Sequence, residues 1–477
     1  MDEQEARISG AIDQHAANID RFRKGELTPD QFRPLRLAMG VYAQLAHVKH
    51  MQRIKVPGGR VSAAQLEALA DVTERWGRGL AHVTTRQDIQ LHYLEIEETV
   101  ELQRVLATQG VTTVGACADT LRNVTASHFA GVIDDELFDV TPHAQAITDH
   151  FLFHEHNRKL PRKFKIGLSG SARDHAQVMI NDIGFFAAVS DAGKGFKVYV
   201  AGGLGSTPEV AHLWRDFVPE AELLAVCEAL VSVFFRDGER KNRKKARLKF
   251  LLRKVGEAEL FKRFDEELAR IQAERGPALA ASLARSLAAF TEGEAPPPEA
   301  GGVSLGDAAF ARWLRTNTLA QKQAGYRAVT VKLALGDITS AQMRALAGLS
   351  RRFANGELRT TNTQNFVLRW VPEGRLVRLH RELGLIGLAE PEAFYDVVRG
   401  RPHIRHLFFG HVHRPVCGNW RGLSYSTMRG LNHQVPFDLH TVRPVPKSHE
   451  PPAYAVAFLG ADQVTVHFHD YLDRSRL

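Results

Sequence analysis

At 477 residues, 44% hydrophobic and 24% charged, the sequence has the composition of a folded protein of several domains with ample buried core. No apolar run approaches the roughly 18 residues of a membrane span, and the polar, acidic start MDEQEARISGAIDQH is unlike a secretory leader, so a cytoplasmic protein with no membrane partner is expected. The net charge is +8, but no RNA-binding signature, zinc knuckle or helix-turn-helix spacing accompanies it; nucleic acid is not expected, which leaves an acidic partner or an anionic cofactor.

In chain order, residues 1–29 are a polar helical extension. RIKVPGG reads as a strand ending at a glycine turn, and Ser62 is placed to cap a helix, AAQLEALADVTERW. HVTTRQDIQLHYL alternates as a strand, and ETVELQRVLATQG follows as a second helix. Next come KFKIGLSG and GFKVYVAGG, a helical stretch around ELLAVCEALVSVFF, and a helix of roughly Glu257 to Glu274. The run RKNRKKARLK at 240–249 suits either phosphate contact or a solvated helix face. An Ala/Pro/Gly-rich stretch, 271–304, reads as a linker, helical at its start.

The first grammar then returns. Residues 53–93 align without gaps to 330–370 at a constant offset of 277: Lys55 with Lys332, Gly59 with Gly336, Arg75 with Arg352, Gly79 with Gly356, and Thr84, Gln87 and Leu91 with Thr361, Gln364 and Leu368. VTVKLALGD, the cap Thr339, AQMRALAGLSRRF, LRTTNTQNFVLRW and GRLVRLHRELGLIG repeat the strand, helix, strand, helix order. The chain therefore carries a duplicated α+β module.

Three short motifs supply cations: TTRQDIQLH with Arg86, DTLRNVTAS with Arg122, and LPRKFKIGLSG with Lys163 and Lys165. Alternate strand residues share a face, so Lys163 and Lys165 can converge on one site. TTRQ, LRNVT, LPRKFK, NDIGF at 181–185 and GGLG at 202–205, in that order and with the duplicated half-domain, resemble the sirohaem-dependent nitrite/sulfite reductases; precorrin-3B synthase is a related branch. The resemblance spans about residues 30–395. It implies a mixed α+β fold in which ferredoxin-like half-domains, 30–112 and 305–395, flank a sirohaem- and substrate-binding α/β domain, 113–270. It also implies that Arg86, Arg122, Lys163 and Lys165 surround a sulfite or nitrite anion. Arg53, Arg243, Arg247 and the backbone at Gly202, Gly203 and Gly205 are then candidates for holding sirohaem. Electrons would come from a ferredoxin or flavoprotein, since no Gly-rich nucleotide-binding fingerprint is present.

The same resemblance implies a [4Fe–4S] cluster held by four cysteines, but the sequence has three, Cys117, Cys227 and Cys417, widely spaced. Its cluster ligands are missing, and impaired reduction is expected. From 396 to 477 the sequence, including GHVHRPVCGNW, instead resembles a β-rich C-terminal fragment of a calcineurin-like metallophosphoesterase of the cyclic-nucleotide phosphodiesterase branch. HLFFGHVH reads as a buried strand carrying His411 and His413 toward a metal, an orphaned half-site because the earlier metal motifs are absent; Asp13-Gln14-His15 matches one by letters only. A hydrolase built on this segment, or a non-catalytic fusion remnant, are the alternative readings.

Overall fold

The computed structural model describes residues 3–44, 48–157, 159–205, 207–299 and 308–389. In a separate C-terminal unit it describes 403–409, 416–420, 423–427, 453–460 and 463–470. The first unit contains three five-stranded sheets.

Each repeat builds a sheet and then lends a strand to the other. The first sheet runs Val41–Gln44, Lys49–Ile54, Ile89–Leu94, Leu80–Val83, and closes with Asp337–Thr339 from the second repeat. Its counterpart runs Thr318–Ala320, Tyr326–Val331, Phe366–Pro372, Glu357–Thr360, and closes with Arg60–Ser62 from the first. The registers obey the same offset: Ser62 lies opposite Glu357, and Thr339 opposite Leu80. Register shifts fall at equivalent places as well, between His50 and Gln52 and between Arg327 and Val329. One hydrophobic core joins the two repeats, with Leu66, Leu69 and Val72 of one helix and Met343, Leu346 and Leu349 of the other contributing to it.

Both anticipated N-caps are present. Ser62 accepts from Gln65 N at 3.1 Å and Thr339 from Gln342 N at 3.2 Å, and each glutamine side chain returns a bond to the cap backbone, starting helices Ala63–Arg75 and Ser340–Phe353. The segment HVTTRQDIQLHYL is not one strand. It folds as a hairpin, Leu80–Val83 and Ile89–Leu94, and its equivalent does the same with Glu357–Thr360 and Phe366–Pro372. Gln87 (φ 62°) and Gln364 (φ 64°) occupy the left-handed region at the turns.

Between the repeats, the strands His212–Pro219, Gly193–Val200, Ile183–Ser190, Ile166–Ser169 and Thr125–Ala126 form the middle sheet, in that order. Its core is shared with helices Thr141–Leu152, Leu223–Asp237 and Glu257–Ala289. The last of these runs well into the stretch expected to be linker, through Gly276 and Pro277. Its apolar stripe explains why: Leu260, Phe264, Leu268 and Ile271 are continued by Leu279 and Leu283, both buried. Burial of that stripe outweighs the local cost of the breakers.

The C-terminal unit has a three-stranded sheet, with Leu423–Thr427 between a parallel partner, His406–Phe409, and an antiparallel one, Cys417–Trp420. A separate hairpin pairs Ala453–Leu459 with Val464–Asp470. The strand His406–Phe409 is not a buried one: Leu407 is covered, but Phe408 and Phe409 are 51% and 40% exposed. His411 and His413 lie outside the described residues. No described helix is long and apolar enough to cross a membrane.

Candidate functional site

The hairpin turn after Leu80–Val83 places the first cation. Thr84 Oγ1 accepts from the backbone N–H of both Arg86 and Asp88, at 3.1 Å each. Gln87 is buried within the turn, donating to the carbonyls of Ala126 (3.0 Å) and Thr360 (2.8 Å) and accepting from Ala126 N (3.0 Å). With the turn locked, Arg86 reaches the middle domain and donates to Asn181 Oδ1 at 2.7 Å and to the Ile166 carbonyl at 2.8 Å.

A parallel bridge between Leu121 and Phe164 brings the next two motifs side by side. Arg122 N donates to the Phe164 carbonyl at 2.8 Å, and Phe164 N to that of Thr120 at 2.9 Å. Phe164 is wholly buried, so Lys163 and Lys165 point the other way, as strand alternation requires. Arg122 is oriented by the Ala118 carbonyl at 3.1 Å and 2.8 Å and by the Tyr42 hydroxyl at 3.4 Å. Asp182, from NDIGF, is the buried counter-ion: it accepts from Lys165 N at 2.8 Å and takes Arg247 in a two-pronged pair at 3.0 and 2.8 Å.

These cations act on one another. Lys165 is pushed down to about 7, first by burial and then by Arg86 and Arg247; Lys163 falls to about 8, by burial and then by Arg122 and Arg247. Burial brings Lys55 to about 8 and Arg86 to about 9. Asp88 is fully buried and pushed up to about 6 by burial, against the pull of Arg53, Arg86, Arg122 and Lys55. Arg53 approaches it at 3.8 Å. An open cleft of ≈ 610 Å³ is lined in part by Lys163, Lys165, Arg247 and Lys249.

The second repeat carries a depleted version. The positions of Arg53, Lys55, Arg86 and Asp88 are taken there by Thr330, Lys332, Thr363 and Asn365. Its turn docks on the middle domain through Asn362, which donates to the Ala176 carbonyl at 2.6 Å. Of these four positions, only that of Lys332 keeps a cation in the second repeat.

Of the residues anticipated from sequence, Arg53, Arg86, Arg122, Lys163, Lys165 and Arg247 act on this one neighbourhood. Arg243 is exposed and pairs with Asp119 at 2.7 and 3.1 Å, alongside Arg162. Gly202 is required by close packing, since a Cβ there would lie 2.4 Å from the Met179 carbonyl. The N–H of Gly203 is taken by the Glu209 carbonyl at 2.9 Å, and Gly205 has φ +118°. Lys249 is one basic residue among many in its run and does not stand out there; its ammonium donates to the carbonyls of Gly203 (3.1 Å), Leu204 (3.1 Å) and Thr207, tying this loop down. Asp88, Asp182 and Lys55 also escape sequence reasoning, although the first two stand inside the motifs TTRQDIQLH and NDIGF.

A polycarboxylate tetrapyrrole fits this chemistry. Cations outnumber carboxylates in a largely buried region, and Arg86 Nε, Asp88 Oδ1 and Asn123 Oδ1 have no hydrogen-bond partner. Arg53, Arg86, Arg122, Lys163, Lys165 and Arg247 are the residues that would meet carboxylates or a small oxyanion. A [4Fe–4S] cluster takes about four thiolates, and the sequence has three cysteines. Cys117 is buried, and its thiol is pushed up to about 12 by burial; Cys227 is also buried, and Cys417 is exposed in the C-terminal unit.

A family model described as the nitrite and sulphite reductase 4Fe-4S domain matches residues 117–271, and one described as the nitrite/sulfite reductase ferredoxin-like half domain matches twice, at 42–109 and 319–386. Similar proteins include a ferredoxin–nitrite reductase of Synechococcus elongatus, 30% identical over 70% of this chain and 61% of the relative. A sulfite reductase [ferredoxin] of Mycobacterium tuberculosis is 31% identical over 71% of this chain and 56% of the relative. The solved structure of the Mycobacterium tuberculosis NirA protein aligns with a TM-score of 0.62 and 28% identity, covering 76% of this chain and 64% of that one. The chain spans roughly three-fifths of the length of the curated relatives it matches.

Proposed function

The chain belongs to the nitrite/sulfite reductase family, and on that premise we propose that residues 30–395 form a sirohaem- and oxyanion-binding reductase scaffold. The reaction class is the six-electron reduction of sulfite to sulfide or of nitrite to ammonia, impaired in this chain by the shortage of cluster thiolates. The observation that carries this reading is the buried excess of cations around Asp88 and Asp182.

When bound, sirohaem supplies the redox-active iron at which substrate is reduced. The protein's share is electrostatic and protonic. Arg53 and Arg122 anchor the anion through charge-assisted hydrogen bonds, and the partly desolvated Lys163 and Lys165 stabilise its charge. Each oxygen lost from sulfite or nitrite leaves as water and consumes two protons. Lys165 and Lys163, at about 7 and 8, can donate a proton near neutral pH and be recharged from solvent. Arg86 has two of its nitrogens committed to Asn181 and Ile166, docking the turn on the middle domain, and keeps Nε for the anion. Because similar reductases are named for ferredoxin, the electron donor proposed is a ferredoxin, with a flavoprotein as the alternative.

A tetrapyrrole-binding scaffold without turnover is the second reading, favoured by the cysteine count alone. A phosphoesterase finds no support in the described residues: His15, of the one early letter match, is buried in helix Glu3–Arg23 against Thr99 at 3.0 Å. Purifying the chain from cells supplied with sirohaem and recording its visible spectrum with iron and acid-labile sulfide tests the proposal. Haem bands without sulfide are expected. A colourless protein overturns tetrapyrrole binding, and stoichiometric sulfide overturns the claim of a missing cluster.

A further inference from the structure

A second group of donor atoms converges away from the cation cluster. Helix Leu223–Asp237 is apolar and buried almost throughout, yet Glu228 sits in its middle at 2% exposure. A lone carboxylate there would cost several kcal/mol, of the order found for unpaired buried ions. Its company is specific. His150 Nε2 lies 2.6 Å from Glu228 Oε1 and His154 Nε2 lies 3.7 Å from the same oxygen. The two histidines are four apart, at the end of helix Thr141–Leu152 and just beyond it, so they leave the chain on one side. Arg275, from helix Glu257–Ala289, pairs with Glu228 Oε2 and holds the carboxylate plane.

We propose that His150, His154 and Glu228 bind one transition-metal dication of the zinc class. The three donor atoms lie within 4.8 Å of one another, the only group of three or more His, Cys, Asp or Glu so arranged among the described residues. Movements of about an ångström would bring them to the ~2.0–2.2 Å of a zinc coordination sphere. Two imidazoles with one carboxylate suit zinc, cobalt or nickel; magnesium and calcium prefer all-oxygen sets. The site is not closed. A cleft of ≈ 500 Å³ lined by Gln4, Arg7, Asp149, Phe153 and both histidines gives water access to a fourth position. Arg275 acts as the outer partner that ligating carboxylates usually have. His156 N donates to His154 Nδ1 at 3.3 Å, which aims Nε2 at Glu228. Ligation through Nε2 places the ring proton on Nδ1 and gives up that long bond.

The test uses the full, tag-free chain stripped with a chelator and titrated with Zn²⁺ against a chromophoric competitor. One equivalent is expected in the wild type. His150→Gln/His154→Gln should lose it or bind it ten- to a hundredfold more weakly, whereas His411→Gln/His413→Gln should keep it. A wild type that binds no zinc, or a His150→Gln/His154→Gln variant that binds it unchanged, overturns the proposal and leaves an ion-paired lock between helices. Should that variant not fold, the Co²⁺-loaded wild type decides. Nitrogen and oxygen ligand-field bands support the site, and a thiolate charge-transfer band assigns the metal to a cysteine instead.

Discussion

The side-chain amide of Gln87 donates to the carbonyl of Thr360 at 2.8 Å, crossing from the first repeat into the second. Its equivalent, Gln364, donates to the carbonyl of Val83 at 3.0 Å, crossing back. The pair stitches the two hairpin turns together, and only the first of those turns carries Arg86 and Asp88.

Gln87→Leu should destabilise the protein on the order of 3 kcal/mol, because the carbonyls of Ala126 and Thr360 and the amide of Ala126 lose their partner in a buried place. Urea unfolding followed by circular dichroism measures this as a lower midpoint at unchanged slope. A loss below about 0.5 kcal/mol, the size of an ordinary surface substitution, would show that the turn holds without the amide.

Arg86 and Arg53 should separate stability from binding. Arg86→Met strands Asn181 Oδ1, at about 1–3 kcal/mol for a group left unpaired, and leaves the Ile166 carbonyl only the 3.4 Å bond from Thr125 Oγ1. Arg53→Met should cost less stability while weakening nitrite binding roughly tenfold, the loss of one charge-assisted contact. Calorimetric titration with nitrite and thermal unfolding of both variants distinguish the roles; equal effects on both readouts would erase the distinction.

Nitrite affinity should fall as pH rises through the values of Lys165 and Lys163, about 7 and 8, because the anion prefers the charged ammonium. The decline should approach tenfold per pH unit for each required proton. Stability should move the opposite way. The native value of Lys165 lies below its ordinary 10.5, so the unfolded chain holds that proton more tightly, and stability rises with pH between about 7 and 10.5. Lys165→Met should accordingly raise stability at pH 7 by about 1–2 kcal/mol while suppressing anion binding. A variant that is both less stable and still binds nitrite normally would contradict this assignment.

Iodoacetamide should label one thiol quickly in the native chain. Cys417 is exposed, whereas Cys117 and Cys227 are buried and both thiols are pushed up by burial, Cys117 to about 12. Mass spectrometry of timed samples reads the order of modification. Fast labelling of Cys117 would mean that the interior beside Arg53 and Arg122 opens readily.

Much of the fold is legible in the amino-acid sequence alone. The offset of 277 predicts the paired modules and both N-caps, since capping depends on a few adjacent residues. The hairpin turns are hidden because they contain no glycine or proline: a threonine hydroxyl organises the backbone and a glutamine takes the left-handed position. The helix end at Ala289 is hidden for the opposite reason, as Gly276 and Pro277 signal a break that the burial of Leu279 and Leu283 overrides. At the site, the cations stand out in their motifs. Their counter-ions Asp88 and Asp182 do not, because a single aspartate in a sequence gives no sign that it will be the acid among several bases.

The exchange of strands between repeats has a consequence for inheritance and assembly. Arg60–Ser62 completes the sheet of the second repeat and Asp337–Thr339 that of the first, so neither repeat closes its own sheet. A chain severed between residues 299 and 308 would yield two pieces, each with an unfinished edge shaped for the other. Complementation of co-expressed fragments, as between subunits of an obligate dimer, is the behaviour such an arrangement preserves. Within the intact chain the same edges must find each other across more than two hundred intervening residues, which makes late, slow docking of the repeats the natural last step of folding.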